Sequence, residues 1–345
     1  MAGSGFVTSL MLLAFSCLSW IDVAWADDPP LPKIVVSVVG PRNLSYLPFD
    51  LIPKIGADRE EGISVELQHA GGGGVVLKQL LSRNSEFAAV GFTALMSMKT
   101  KDHNSKVVAV AAVADTPLFV LIVRSELQNQ VKRIADLKGR VVGVHSSSVN
   151  AKTAAHQLLE LMLRSDGLET DDVRIISSGQ SWEERTNMLK YARMDAVISE
   201  EPFASSMLAA GKVFFLASLA DEKTTGLIPG AHFLHTSLTT RSDVIANEPD
   251  KVKRMVRALG RSLTWIASHT PDELVAQLQI LDPRERDMLR LCLQKYPRLF
   301  SKDGQFKKEQ IDDTRKFFSN ANPHEPLVNI ENLIDGRWVG IKDAR

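Results

Sequence analysis

The stretch Ile63-Ser-Val-Glu-Leu-Gln-His-Ala70-Gly71-Gly-Gly-Gly74-Val75-Val-Leu-Lys-Gln-Leu-Leu-Ser82 decides the class of this chain. A short β-branched run predicts a strand over Ile63–Gln68, and the apolar segment after the glycines predicts a helix over Val75–Ser82. Between them, Gly71–Gly74 has no side chains to cover its backbone N–H groups, and the helix that follows places partial positive charge at the same point. Such a junction suits an anionic or strongly polar group, with φ > 0 expected in the turn. It is not a nucleotide loop, because no Lys-Ser or Lys-Thr follows at the required spacing and no dinucleotide fingerprint is present. The competing reading is a plain flexible turn.

The alternation of strand and helix continues outward in both directions. Strands are predicted at Ile34–Val39, Phe87–Val90, Val107–Ala112, Phe119–Val123, Val141–Val144, Val173–Ile176, Ala196–Ile198 and Val213–Leu216. Helices are predicted at Asn150–Arg164, with Ser147 or Ser148 as N-cap, and at Pro249–Ser268, opened by Glu248-Pro249. This pattern implies an α/β protein with mainly parallel sheets. Val107–Val123 is mostly apolar, but Asp115 and Pro117 break it, so two buried strands with a short link fit better than a membrane-spanning helix. After about Thr239 the strand signal fades and the rest is helical.

Three further strand-to-helix junctions repeat the glycine-turn chemistry: Gly91-Phe92-Thr93, Val144-His-Ser-Ser-Ser148-Val-Asn150 and Ile176-Ser-Ser-Gly-Gln180-Ser-Trp182. In a parallel sheet all of them lie at the carboxyl edge and can converge on one crevice. One helix terminus contributes only about 0.3–2 kcal/mol, so several are needed for the roughly 8 kcal/mol of micromolar binding.

With 345 residues, 44% hydrophobic and 24% charged, the chain is an ordinary globular one of about two domains. Its 41 basic and 41 acidic residues cancel, which removes the electrostatic footprint of nucleic-acid binding. Residues 1–26 form an apolar stretch, Phe6 to Trp20, ending in Ala24-Trp25-Ala26, and read as a secretory signal peptide cut after Ala26. Lipidation at Cys17 is the alternative, but Ala14-Phe15-Ser16 fits that signal poorly. Cleavage after Ala26 leaves Cys292 as the one cysteine, set among Met288, Leu289, Leu291 and Leu293 as a buried hydrophobe.

Signatures of hydrolases, zincins and redox proteins are absent. His232 and His235 form an H-x-x-H, but the segment 231–235 is strand-like and the odd spacing sends the rings to opposite faces. Glu200-Glu201-Pro202 ends a strand and offers one carboxylate to a ligand. Asn43-Leu44-Ser45 matches a glycosylation sequon, relevant only in a eukaryotic source. No metal, cofactor or catalytic residue is expected.

The ordered segments resemble the extracytoplasmic solute-binding proteins of ABC importers, of the nitrate/sulfonate/taurine type, with the related binders of thiamine-precursor pyrimidines. The matching pieces are Lys33–Gly40, Gly71–Leu81, Phe87–Ala94, Ile134–Val144, Asp195–Ala204 and Asn247-Glu248-Pro249. The resemblance implies a two-lobed periplasmic-binding-protein-like α/β fold (type II), with a ligand cleft between the lobes and C-terminal helices packed on lobe one. It divides the chain into a signal peptide (1–26), lobe one (27–116 and 241–345) and lobe two (117–240), with crossovers near Thr116–Phe119 and within Ser237–Arg241. The implied cleft residues are Asn43, Ser45, Tyr46, Gly72, Gly73 and Thr93 from lobe one, and Ser147, Ser148, Gln180 and Glu201 from lobe two.

By that resemblance the protein is a monomer that captures a small polar or anionic solute and delivers it to an ABC permease of the inner membrane, without being an enzyme. The same cleft would also serve a ligand-sensing protein that regulates a membrane partner, or a pyrimidine-precursor synthase. The cysteine-rich motif of the synthases is missing. At the junction tips the basic residues are Arg42, His69, His145 and Lys152, so an oxyanion would be held mainly by backbone dipoles and hydroxyls.

Overall fold

Ten strands build two five-stranded sheets in the computed structural model, which describes Met1 and residues 30–41, 43–145, 152–179 and 181–340. They are β1 (Lys33–Val39), β2 (Ser64–Ala70), β3 (Phe87–Gly91), β4 (Val107–Ala114), β5 (Phe119–Arg124), β6 (Val141–Val144), β7 (Arg174–Ser177), β8 (Ala196–Glu200), β9 (Val213–Ser218) and β10 (Thr236–Arg241). The sheet orders are β2-β1-β3-β10-β4 and β7-β6-β8-β5-β9. The predicted leader lies, apart from Met1, outside the described residues, as do Ser147, Ser148, Asn150 and Gln180.

The two sheets share one plan. In each, three parallel strands are extended by two antiparallel pairings: β3–β10–β4 in the first and β8–β5–β9 in the second. The expectation of mainly parallel sheets is therefore corrected, since half of the pairings are antiparallel. A strand fed by a helical crossover returns to the same end of its sheet and runs parallel. Both β5 and β10 arrive instead from the other sheet, beside the carboxyl ends of β8 and β3 (Phe119 pairs with Glu200, Thr236 with Gly91), and run against them.

The chain passes between the sheets at residues 115–118, as expected, and again within 219–235. That second passage comes earlier than Ser237–Arg241, which lies wholly in β10. The strand-like reading of 231–235 is also corrected: this segment is a turn followed by irregular chain. Its two rings do diverge, His232 being exposed and His235 buried. Strand β10 escaped the sequence reading because its buried face is built from hydroxyls. Ser237 Oγ lies 3.2 Å from Thr239 Oγ1, and the Thr240 hydroxyl donates to the Glu86 carbonyl at 2.7 Å. Once those hydroxyls are paired, threonine's branched Cβ favours the pleated backbone.

Helices of seven or more residues among those described are α1 (Leu47–Lys54), α2 (Gly73–Leu81), α3 (Phe92–Lys101), α4 (Ala154–Ser165), α5 (Trp182–Lys190), α6 (Phe203–Ala209), α7 (Pro249–Ser268), α8 (Pro271–Leu278), α9 (Pro283–Lys295) and α10 (Lys308–Ala321). Each sheet buries its own core. Helix α7 sets Val252, Met255, Val256, Leu259 and Leu263 against Ile34, Val36, Phe87 and Val110 of the first. Helix α4 sets Leu158, Leu159 and Met162 against Leu121, Val142 and Ile198 of the second. Both helices show the 3.6-residue apolar stripe that the sequence predicts. Helix α10 serves both cores, with Phe318 in one and Phe317 in the other. No helix among the described residues is long and apolar enough to cross a membrane.

Candidate functional site

The carboxyl ends of the parallel strands from both sheets open on one cavity of about 340 Å³. Helices α2, α3, α4 and α5 begin on its wall, at the cap residues Gly72, Gly91, Thr153 and Ser181. Four positive helix ends thus point at one volume, the convergence expected from the repeated junctions. At Gly72 the backbone has φ +133°, a conformation that side-chain-bearing residues rarely adopt. Gly73 already belongs to α2, and a Cβ there would come within 3.1 Å of Val90 Cγ2. The glycines therefore let α2 start hard against β3.

Of the residues expected in the cleft, Asn43, Tyr46, Gly72, Gly73, Thr93 and Glu201 line the cavity. Ser45 does not. It is buried in the short turn Leu44–Tyr46, where its N–H donates to Asn43 Oδ1 at 3.0 Å. Ser147, Ser148 and Gln180 lie outside the described residues. The Glu201 carboxylate is engaged away from any solute: it accepts from the Ser205 N–H at 2.9 Å, the Ser205 hydroxyl at 2.8 Å and the Tyr296 hydroxyl at 3.1 Å. It anchors the start of α6. Its neighbour Glu200 faces the cavity and accepts from the Asn43 amide, joining the two sheets.

Arg185, on α5, is the group the sequence reading missed. It is 8% exposed, Nη1 donates to Ser199 Oγ at 3.0 Å, and the guanidinium carbon lies 4.9 Å from the centre of the Phe203 ring. Its Nε is buried with no partner. Burial lowers the Arg185 pKa, and the neighbouring Glu200 opposes that shift. Burial likewise raises the Glu200 carboxyl, with Arg185 and the Asn43 amide working against it. A usable signal was present: helical side chains lean toward the helix N-terminus, so a long cation one turn inside a junction helix reaches the junction.

His235 is 2% exposed and neither ring nitrogen has a hydrogen-bond partner. Its ring meets those of Phe119, Phe233 and Tyr46 edge-on, with centroids 5.1, 6.2 and 6.4 Å away. The Thr93 hydroxyl, 1% exposed, is also unpartnered. An unmatched buried polar atom costs about 1–3 kcal/mol. Arg185, Thr93 and His235 hold such atoms on the wall of a single cavity, which is the arrangement a hydrogen-bonding solute would complete.

Burial pulls the pKa of both His235 and His145 down to about 4. A histidine kept neutral in the native state contributes stability above its ordinary pKa of 6.5, and that contribution is lost as pH falls toward 4 while the unfolded chain takes up the proton. For His235 the loss approaches about 3 kcal/mol. Thermal melts between pH 7 and 4.5 should therefore fall more steeply for the wild type than for His235→Gln. Equal slopes would mean that His235 is not held neutral.

Cys292 is buried beneath α6, its thiol pushed up to about 12 by burial and by Glu201, which suits a core hydrophobe. No group of three metal-ligating side chains occurs among the described residues. A wider groove of about 780 Å³ runs along α7, away from the strand ends. There Glu61 pairs with Arg257 at 3.0 Å and with Arg261 at 2.6 Å.

Comparison with known proteins agrees with this geometry. YtlA of Bacillus subtilis (strain 168), whose name describes it only as a candidate binding protein, is 20% identical over 344 residues, spanning 92% of this chain and 96% of its own. The alkanesulfonate-binding protein SsuA from Xanthomonas axonopodis pv. citri, solved with MOPS, superposes with a TM-score of 0.71 at 14% identity, covering 89% of this chain and 99% of that one. The desulfurization enzyme DszB superposes at 0.58 and 15% identity, covering 89% and 97%. The fold is the two-lobed α/β fold of periplasmic binding proteins, as expected, and it houses binders and at least one enzyme. Residues 59–273, more than half of the sequence, match the family model described as NMT1/THI5 like, and the chain belongs to that family.

Proposed function

We propose that this protein is an extracytoplasmic solute-binding protein: it captures a small anionic solute between its lobes and delivers it to an ABC permease. The observation that carries this reading is Arg185, a buried guanidinium with an unmatched Nε on a cavity where four helix N-termini converge. Reversible capture needs only such matching groups, whereas catalysis would need a nucleophile or a proton-transferring pair aimed at the solute. The one cysteine left after processing is packed under α6. The protein acts as a monomer, exported by a leader cut after Ala26, so the secreted form should begin at Asp27. N-terminal sequencing checks the cut, and a modified Cys17 as first residue would overturn it.

The solute is sought by denaturing protein purified from its native host and analysing the released small molecules by mass spectrometry. One anion near equimolar amount is expected from the wild type and little from Arg185→Met. Equal recovery from both would remove Arg185 from the site. No small molecule, together with turnover of candidate substrates, would replace the binding reading with an enzymatic one.

A further inference from the structure

The proposed site does more than favour negative charge, because its size and the placement of its unmatched atoms restrict what can fill it. A cavity of about 150 Å³ takes one benzene, so roughly 25 Å³ accommodates each non-hydrogen atom. On that scale the 340 Å³ here corresponds to about a dozen atoms. Nitrate has four atoms and sulfate five, and either would leave most of the volume to water. Such water would match the polar part of the wall but not the apolar surface contributed by Val39, Ala70, Ala94, Phe119, Trp182 and Phe203.

The unmatched polar atoms fall into two groups on different sheets. Arg185 belongs to α5, against the second sheet, and supplies the positive charge. Thr93 lies in the first turn of α3 and His235 leads into β10, both at the first sheet. A compact oxyanion seated on Arg185 would leave Thr93 and His235 unmatched, and would hold the lobes together only weakly. These two groups are uncharged at neutral pH, His235 being kept neutral by burial, so a second full charge at that end would meet only the N-termini of α2 and α3 and no side-chain cation among the described lining residues of the first sheet.

Resting on the solute-binding reading and narrowing it, we infer that the occupant is an organic anion of about a dozen non-hydrogen atoms with two unlike ends. A carboxylate or sulfonate meets Arg185. An apolar body lies against Phe119, Trp182 and Phe203. A neutral hydrogen-bonding group, such as a hydroxyl, meets Thr93 and His235. Thr93 and His235 thereby select the solute, while Arg185 sets its charge.

The test uses the full exported chain, stripped of bound molecules by unfolding and refolding, in calorimetric titrations with six probes. These are sodium nitrate, sodium sulfate, benzoate, benzenesulfonate, 4-hydroxybenzoate and 4-hydroxybenzenesulfonate. At least one aromatic anion should bind a hundredfold or more tightly than nitrate and sulfate, and its 4-hydroxy form about tenfold more tightly again. Thr93→Val and His235→Phe should each erase most of the hydroxyl's gain, and circular dichroism melts of both variants report whether they fold. If one variant does not fold, the other decides.

Tighter binding of an inorganic anion, or no advantage for the hydroxyl, would overturn the inference while leaving a solute-binding protein in place. Failure of all six probes would overturn this ligand class. In that case the molecule released from the native protein decides separately whether solute binding itself stands.

Discussion

Arg185→Met is expected to weaken solute binding by about a hundredfold or more, with the protein still folded. Removing one partner of a buried, hydrogen-bonded charge contact costs about 2–5 kcal/mol, and each 1.4 kcal/mol is a factor of ten. Methionine fills much of the same space beside Phe203, so packing on α6 changes little. Glu200 loses its neighbouring cation but need not remain a buried charge, because burial already favours its protonated form and the Asn43 amide stays in contact. The effect should therefore fall on affinity far more than on melting temperature. Arg185→Lys separates charge from geometry: it keeps the cation but lacks the Nε–H at its place in the guanidinium plane, so an intermediate loss is expected. Titration calorimetry with the solute identified by mass spectrometry, run beside thermal melts, measures both quantities. If Arg185→Met binds normally, Arg185 is only the structural partner of Ser199 and Glu200, and the charge selectivity must lie elsewhere.

The contrast between Arg185 and the glycine turn shows what the sequence makes legible. Strand, four glycines and helix form a local pattern, so the start of α2 and its approach to the cavity follow from residues 63–82 alone. The convergence of several such junctions also follows, because parallel strands place them all at one edge. Arg185 contributes through three-dimensional reach: it sits inside a helix, and only the packing of α5 against β8 and α6 turns its guanidinium into the cavity. A search limited to loop tips passes over it. His235 is a similar case, since its ring gains meaning not only from nearby Phe233 but from Phe119 and Tyr46, which come from two distant parts of the chain.

The choice between Glu200 and Glu201 illustrates a different limit. Neighbouring residues at a strand end point to opposite sides, so one carboxylate faces the cavity and the other the structure behind it, and composition gives both the same weight. Pairing settles the matter: β8 against β5 matches Glu200 with Phe119 at the cavity, while Glu201 turns to Ser205 and Tyr296. Strand β10 was hidden for the reverse reason. Thr236, Ser237, Thr239 and Thr240 look solvated in sequence, but all are fully buried between β3 and β4. The hydroxyls of Ser237, Thr239 and Thr240 find backbone groups and one another as partners, which no one-dimensional pattern reveals.

Gly230→Ala is expected to cause the largest loss of stability, although it lies outside the cavity. Gly230 falls in the second passage between the lobes, with φ +68°, and a Cβ there would lie 2.1 Å from the Asp313 carbonyl oxygen and 2.6 Å from the Phe317 nitrogen. Both are backbone atoms of α10, so no rotamer change relieves the clash. The helix would have to move, and it is tied down on every side. Phe317 stacks on Phe233 at 4.1 Å, Thr314 Oγ1 accepts the Leu234 N–H at 2.8 Å, and the Gln310 amide donates to the Asp115 carbonyl at 3.0 Å in the first passage. Left-handed strain of about 1–3 kcal/mol and overpacking of a further 1–3 kcal/mol give a loss of about 2–6 kcal/mol, seen in a chain of this length as a melting point lower by roughly 3–9 °C. Gly260→Ala supplies the opposite sign within the same molecule. It lies in the middle of α7 with nothing within 4 Å of its would-be Cβ, so alanine there should raise stability by about 0.5–1 kcal/mol. Because α10 holds both passages, a Gly230→Ala protein that still folds at low temperature should also show altered lobe closure when solute is added, measured by small-angle scattering. A variant that melts with the wild type would mean that α10 does not press on this passage.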